Sequence, residues 1–505
     1  MPFSHILKIT YLCKNIWMLS ISIILEMILD KIIIMKLKYL PILCALLLSV
    51  SIKAQYDISL EIKNSESDTM YIGYFHLGST YSFDTCVNKK GKFRFKRKDK
   101  TMPNGMYFFA DTKGKFTEFI IQDETKMSFS TINNDWTANM FVKGSKMESI
   151  YYDYLKKSKT LENEFKKLPS ITNNRNEYNE KLAILRHQND SLKEDFIKQY
   201  PDHLFSKVLL CSKPIIPPTN NIYNEDGSLD SLATRLQAFQ YYKRHYFDNI
   251  DLSCDALIRT PKEVFADKYK DFWEKVLKYD IADSLIYYSD TLIALTKEGG
   301  DMYKYFINDI TKRYLTDNVM GHDKVYVHMI KKYFATGKVT WMHLSDVEMN
   351  VQRAERWENL LVGKTVPDLA CPIEDENSQW HSLSELNNRY RLLVFWSIEC
   401  GHCTKEMPKL AEFYNNNKEK YDLGIFGVHT EGDLNQMREF CQKYNILWTT
   451  TNGLYANYNW REYFDIEKTP VIFLLDNNNK ILAKNFSVEA LPQILDMIEK
   501  GLLNL

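Results

Sequence analysis

Short alternating apolar runs dominate residues 56–145. Ile58, Leu60 and Ile62 share one face, as do Met70, Ile72 and Tyr74, the period of two expected of half-buried strands. Phe93 and Phe95 follow Gly91, and Met106 to Phe109 follow Pro103-Asn104-Gly105. Turn residues between short apolar runs predict a small all-β domain, sandwich-like or barrel-like, over 56–145. From 146 to 360 the pattern predicts an α-helical domain. Thr260-Pro261-Lys262-Glu263 offers an N-cap, a first-turn proline and a capping-box glutamate ahead of Val264, Phe272, Val276 and Leu277. A loop is expected from Pro214 to Ser228 and a helix stop at Gly299-Gly300. Phe239, Tyr242 and Tyr246 fall on one helical face beside Lys243, Arg244 and His245. A nucleic-acid patch would use such residues, but the pattern reads as a buried aromatic face with a solvated basic side.

Beyond Gly363–Pro367 the pattern becomes an alternation of strands and helices, predicting an α/β domain over 364–505. A β-rich segment at 366–383 precedes a buried run from Leu392 to Trp396. A helix follows from about Cys403 to Lys420, a strand at Leu423–Val428 and a helix at Leu434–Tyr444. Val471–Leu475 and Ile481–Ala483 flank Asp476-Asn477-Asn478-Asn479 as a hairpin, and a helix from Val488 to Glu499 closes the pattern. The chain therefore reads as multidomain.

The first 54 residues have a different character. Glu26, Asp30 and Lys31 interrupt the apolar stretch between Ile16 and Ile34, at a cost within a membrane span. At Met35 a second pattern begins: Lys36 and Lys38, an apolar run from Leu40 to Val50, then Ile52-Lys53-Ala54 before Gln55. That order is the grammar of a signal peptide. Residues 1–34 read as an upstream mis-start and 35–54 as the signal peptide. The alternative is an N-terminal membrane anchor. Export predicts a periplasmic or cell-envelope location, where disulfide chemistry is possible.

Composition narrows the function classes. The 505 residues carry 65 Lys+Arg against 65 Asp+Glu, so no overall basic charge points to nucleic acid. The nine cysteines are scattered, and only Cys400 and Cys403 are close neighbours, unlike the dense framework of a small disulfide scaffold. Cys400-Gly401-His402-Cys403 falls where the apolar strand meets a helix. A thiol at a helix N-terminus is stabilised as thiolate by free N–H groups and the helix dipole. A second thiol one turn inward can resolve a mixed disulfide. The spacing alone also serves zinc, yet no second Cys-x-x-Cys or closely spaced His pair accompanies it. A purely structural disulfide is the other reading.

Phe395-Trp396 before the pair, Pro408 after it and Thr469-Pro470 at the start of a later apolar strand set the motif in a wider context. With these elements the C-terminal ~140 residues resemble the thioredoxin superfamily, most closely its envelope thiol–disulfide oxidoreductases of the TlpA/ResA type. The resemblance implies a thioredoxin fold, Cys400 as nucleophile and Cys403 as resolving thiol. It implies supporting roles for Trp396, Gly401, His402, Glu406, Thr469 and Pro470. Pro470 would be cis beside the cysteines, and the Thr469 backbone would pair with an extended substrate. Glu406 matches the acidic residue of the family's C-x-x-C-x-x-E-x-P pattern. The implied partners are thiol- or disulfide-bearing envelope proteins and a membrane-linked electron donor, with no metal or organic cofactor. Residues 56–145 and 146–360 resemble uncharacterised domains that precede such modules in Gram-negative envelope proteins.

Two departures stand out. Val394 replaces the family's buried aspartate, and Glu399 replaces the tryptophan before the first cysteine, leaving Glu406 or Glu399 as the substitute proton acceptor. A protonated His402 would favour the Cys400 thiolate. Cys371 and Cys441 read as buried structural thiols. Two rival functions remain. One is a peroxide-reducing thiol enzyme, for which Leu393 and Ser397 are the wrong residues at the positions of the required Pro and Thr. The other is a non-catalytic envelope binding protein that uses the C-terminal module as a scaffold.

Overall fold

The computed structural model describes residues 56–502 except 134, 172 and 173, so the signal-peptide and mis-start expectations lie outside the described residues. The chain divides into two compact units, one holding residues up to 74 and 80–205, the other 75–79 and 206 onward.

The first unit is built from β1 (Tyr56–Lys63), β2 (Thr69–His76), β3 (Ser79–Val87), β4 (Lys92–Arg97), β5 (Gly105–Asp111), β6 (Phe116–Ile121), β7 (Lys126–Ile132) and β8 (Phe141–Lys143). They form two four-stranded sheets, ordered β4-β1-β7-β8 and β3-β2-β5-β6. The alternation seen in the sequence points the apolar face of each strand inward. Rings from both sheets meet there, Phe95 with Phe109 at 6.1 Å and Phe119 with Phe129 at 5.4 Å between centroids. Two helices, α1 (Lys146–Ile171) and α2 (Arg175–Gln199), belong to this unit. Tyr152 donates its hydroxyl to Glu118 O at 2.7 Å, and the Glu148 carboxyl accepts from Ile120 N–H at 3.1 Å. The helical segment expected over 146–360 thus divides between the two units, with α1 packed on α2 and joined to β6 through Tyr152 and Glu148.

The second unit continues with α3 (Leu204–Cys211), α4 (Ser231–His245), α5 (Ala266–Asp271), α6 (Ala282–Ala294), α7 (Asp301–Leu315), α8 (Asp323–Met329) and α9 (Leu344–Glu358). Two expectations need correction here. Thr260 is not the N-cap of a helix: it ends the 3-10 turn Asp255–Arg259, its hydroxyl donates to Leu257 O at 2.7 Å, and α5 begins only at Ala266. On α4 the buried member is Lys243, paired with Asp280, whereas Phe239 is exposed. An acid supplied by a distant segment reverses the face that local hydropathy favours.

The α/β part of this unit contains β9 (Ala370–Pro372), β10 (Trp380–Ser382), β11 (Tyr390–Trp396), α10 (Cys403–Tyr421), β12 (Leu423–His429), α11 (Leu434–Lys443), β13 (Thr449–Asn452), α12 (Trp460–Tyr463), β14 (Val471–Asp476), β15 (Ile481–Lys484) and α13 (Leu491–Glu499). Its five-stranded sheet runs β13-β12-β11-β14-β15. β11, β12 and β13 are parallel neighbours, and β14 and β15 add antiparallel strands. Every residue of β11 and β12 is buried, as expected of a sheet covered on both faces. One core packs Trp396, Cys403 and Met407 on one face, and another packs Phe395, Trp460 and Phe473 on the other. The connecting segment already belongs to this domain: Gly363 N–H donates to Ile481 O at 2.8 Å and Ile481 N–H to Lys364 O at 2.7 Å.

Candidate functional site

The carboxyl ends of β11 and β12 share one edge of the sheet, because Trp396 pairs with His429 in parallel register. β11 enters that edge buried and leaves it through Ser397-Ile398-Glu399 to Cys400. Ser397 accepts the N–H of Glu399 at 3.0 Å and donates to Glu431 O at 2.9 Å. Gly432 closes the other side with φ +105°. A Cβ there would meet Ile398 Cγ2 at 2.8 Å, so glycine is required for this approach.

Cys403 is the first residue of α10 and His402 its N-cap. The Cys403 N–H points at Cys400 Sγ, 3.3 Å away, so an unpaired amide of the first helical turn serves the sulfur. Antiparallel β14 begins at the same edge, with Phe395 opposite Val471. The residues just before it come back to the cysteines: the Cys400 thiol donates to Thr469 O at 3.2 Å. The Thr469–Pro470 peptide is cis. The two thiols are free and unequal, Cys400 half-buried and Cys403 buried.

That inequality sets their acidity. Burial raises the Cys400 pKa, but hydrogen bonds from the Cys403 thiol, the Thr469 side chain and the Cys403 and His402 backbone outweigh it, leaving it below that of an ordinary thiol. Burial pushes Cys403 up to about 12, and its bond to Cys400 adds to the rise. Cys400 is therefore the more acidic of the two thiols and Cys403 the less acidic.

The other candidate residues fall into place unevenly. Trp396 is fully buried, its ring 5.6 Å from His429 and 5.8 Å from Phe440, and packs beneath the cysteine loop. Gly401 is exposed with open space around it, so no packing demands a glycine. His402 is exposed, and its backbone hydrogen bond is among the causes that lower the Cys400 pKa. Glu406 holds Lys409 at 2.8 Å, while Glu399 is exposed. Cys371 is buried and raised to about 12 and Cys441 to about 11, by burial in each case.

His429 went unnoticed in the sequence. Its Nε2 accepts the Ile398 N–H at 3.3 Å, which places the proton of the neutral ring on Nδ1. Burial lowers its pKa and keeps it neutral. The signal was available: a polar residue ending an apolar parallel strand lies at the edge where α/β sheets carry their sites.

The thioredoxin-like family matches residues 387–481. Upstream, two domains of unknown function match, DUF4369 over 56–151 and DUF5106 over 230–356. The thiol-disulfide oxidoreductase ResA of Bacillus cereus is 24% identical over 150 residues, covering 28% of this chain and 80% of the relative. ResA of Bacillus subtilis is 24% identical over 125 residues, covering 25% and 67%. Among solved structures, a domain of a possible thiol-disulfide isomerase from Cytophaga hutchinsonii is 28% identical, covering 28% of this chain and 95% of its own, at a TM-score of 0.25. A thioredoxin-like protein from Bacteroides caccae covers 56% of this chain and 99% of its own at 16% identity and a TM-score of 0.43. The C-terminal domain is thus thioredoxin-like and of the thiol–disulfide oxidoreductase class.

Proposed function

We propose that the protein is an exported thiol–disulfide oxidoreductase that exchanges disulfides with envelope proteins through Cys400 and Cys403. The observation that carries this reading is the asymmetric pair: a reachable Cys400 of lowered pKa, touching Thr469 O, over a buried Cys403 held protonated.

In the reducing direction the Cys400 thiolate attacks one sulfur of a substrate disulfide. A Cys400–substrate disulfide forms, the substrate S–S bond breaks and one substrate thiolate leaves. Once Cys400 is no longer anionic, Cys403 gives its proton to the departing thiolate and attacks the Cys400 sulfur. The second substrate thiolate leaves, and two electrons have passed from the dithiol to the substrate. A dithiol donor, linked to the membrane by family resemblance, returns them by the reverse exchange. The extended substrate lies against the Thr469 backbone, and Trp396 and Pro470 support the loops on either side.

Glu406 is engaged with Lys409 and Glu399 faces solvent, so the proton of Cys403 passes to the departing thiolate in this scheme. No described helix is long and apolar enough to cross a membrane. Export rests on the pattern at 35–54, and sequencing the mature N-terminus tests it, with Gln55 expected first.

Insulin reduction tests the chemistry. Cys400→Ser abolishes it, and Cys403→Ser accumulates mixed disulfides through Cys400. Reduction by Cys400→Ser at the wild-type rate would sink the assignment.

A further inference from the structure

β12 is the middle of three parallel strands, and His429 is its last residue, at the thiol end of the sheet. The His429 backbone is fixed on both sides, opposite Trp396 of β11 and Asn452 of β13. The residue is 1% exposed, and its ring meets that of Trp396 edge-on at 5.6 Å. The next residue is tied down as well: Thr430 N–H donates to Trp396 O at 2.8 Å, and the Arg461 guanidinium donates to Thr430 O at 2.8 Å. The imidazole therefore stands on a rigid base.

A buried polar ring costs free energy unless its nitrogens find partners. Here Nε2 accepts the N–H of Ile398, two residues before Cys400, at 3.3 Å. Ile398 belongs to the turn that delivers the nucleophile. Within that turn the Glu399 N–H donates to Ser397 Oγ at 3.0 Å, and the Cys400 N–H to Ser397 O at 3.3 Å. An aliphatic residue at 429 would take this acceptor from Ile398. A protonated ring would oppose the Ile398 N–H with an N–H of its own. Burial disfavours that proton, and the Glu431 carboxylate, itself 3.6 Å from Arg461, favours it.

We propose that His429 is a positioning residue for thiol exchange: its neutral Nε2 holds the Ile398 N–H, and with it the turn that sets Cys400 Sγ against the Cys403 N–H and Thr469 O. The inference rests on the exchange chemistry proposed above. It adds a residue that acts through Ile398 and not on the reacting sulfurs. The strand end supplies the rigid post, and the turn carries its placement on to the thiol.

Iodoacetamide alkylation of the full-length protein, read at the Cys400 peptide by mass spectrometry and followed against pH, tests the proposal with two variants. His429→Leu removes the acceptor. Its alkylation profile should move to higher pH, and kcat for insulin reduction should fall about tenfold with KM little changed, the scale of a buried backbone N–H left unpaired. His429→Gln puts an amide oxygen where Nε2 stands and should restore both the profile and kcat. A purely structural role would lower the melting temperature of both variants without moving the profile. In long-range proton–nitrogen NMR spectra the His429 ring, assigned by its absence from His429→Gln, should carry its proton on Nδ1. An unmoved profile in His429→Leu, an equal displacement in His429→Gln, or a proton on Nε2 would each overturn the positioning role. Failure of the exchange reading shows differently, as a wild-type protein that alkylates at Cys400 but reduces no insulin.

Discussion

Trp357 donates its indole N–H to the Asp465 carboxylate at 2.6 Å, joining α9 to the segment that leads into Thr469-Pro470. The other carboxylate oxygen takes the Arg356 guanidinium at 2.9 Å. Lys484 on β15 meets Asp323 at the start of α8, and Met320 packs against the core that contains Trp396 and Cys403. The helices of the second unit and the thioredoxin-like domain therefore pack together along this side of the sheet.

Asp465→Ala should destabilise the second unit by about 2 kcal/mol, because a half-buried guanidinium and an indole N–H lose their acceptor. Arg356 retains access to water, which keeps the loss below that of a fully buried pair. The urea midpoint, followed by tryptophan fluorescence, should fall accordingly. An unchanged midpoint would mean that the contact adds nothing.

The Cys400 thiolate should respond to the backbone at position 402 rather than to the imidazole. His402→Gln keeps the N–H and should leave the pH profile of Cys400 alkylation in place. His402→Pro removes the donor and should move the profile to higher pH. A lowered thiol pKa means that the reactive form is already present below the ~8.5 of a free cysteine. The rate should therefore level off at lower pH than for a model thiol, while Cys403 stays unreactive in the folded protein. A shift in His402→Gln as large as in His402→Pro would restore the imidazolium explanation.

Glu148 is fully buried beneath the sheets of the first unit, and burial raises its pKa well above the ordinary 4.5. The folded state therefore holds a proton that the unfolded chain releases. Its contribution is intact below about pH 4.5 and declines as pH rises toward the folded value, by up to ~1.4 kcal/mol per pH unit. Glu148→Gln keeps an oxygen for the Ile120 N–H and cannot ionise. Relative to the wild type, the variant should gain stability between pH 5 and pH 8 in urea titrations. A constant difference across that range would show that Glu148 does not change its charge on unfolding.

The sequence by itself determined the parts set by neighbouring residues. Alternation gave the strands of the β domain, because side chains on a strand change face at every residue. The buried runs at Leu392–Trp396 and Leu423–Val428 marked two strands of the five-stranded sheet, and the motif between strand and helix marked the thiol pair. Tertiary structure decided whatever depends on a partner far along the chain. Asp280 turned Lys243 inward, the Ile120 N–H tied Glu148 of α1 to the β domain, and Leu257 O claimed the Thr260 hydroxyl. His429 came to the cysteine loop through strand register, and Asp465 met Trp357 across 108 positions. The division has one physical reason. Hydrophobic periodicity is local and repeats, whereas an ion pair or a single hydrogen bond depends on one specific distant atom, and no periodicity in the sequence marks where that atom will be.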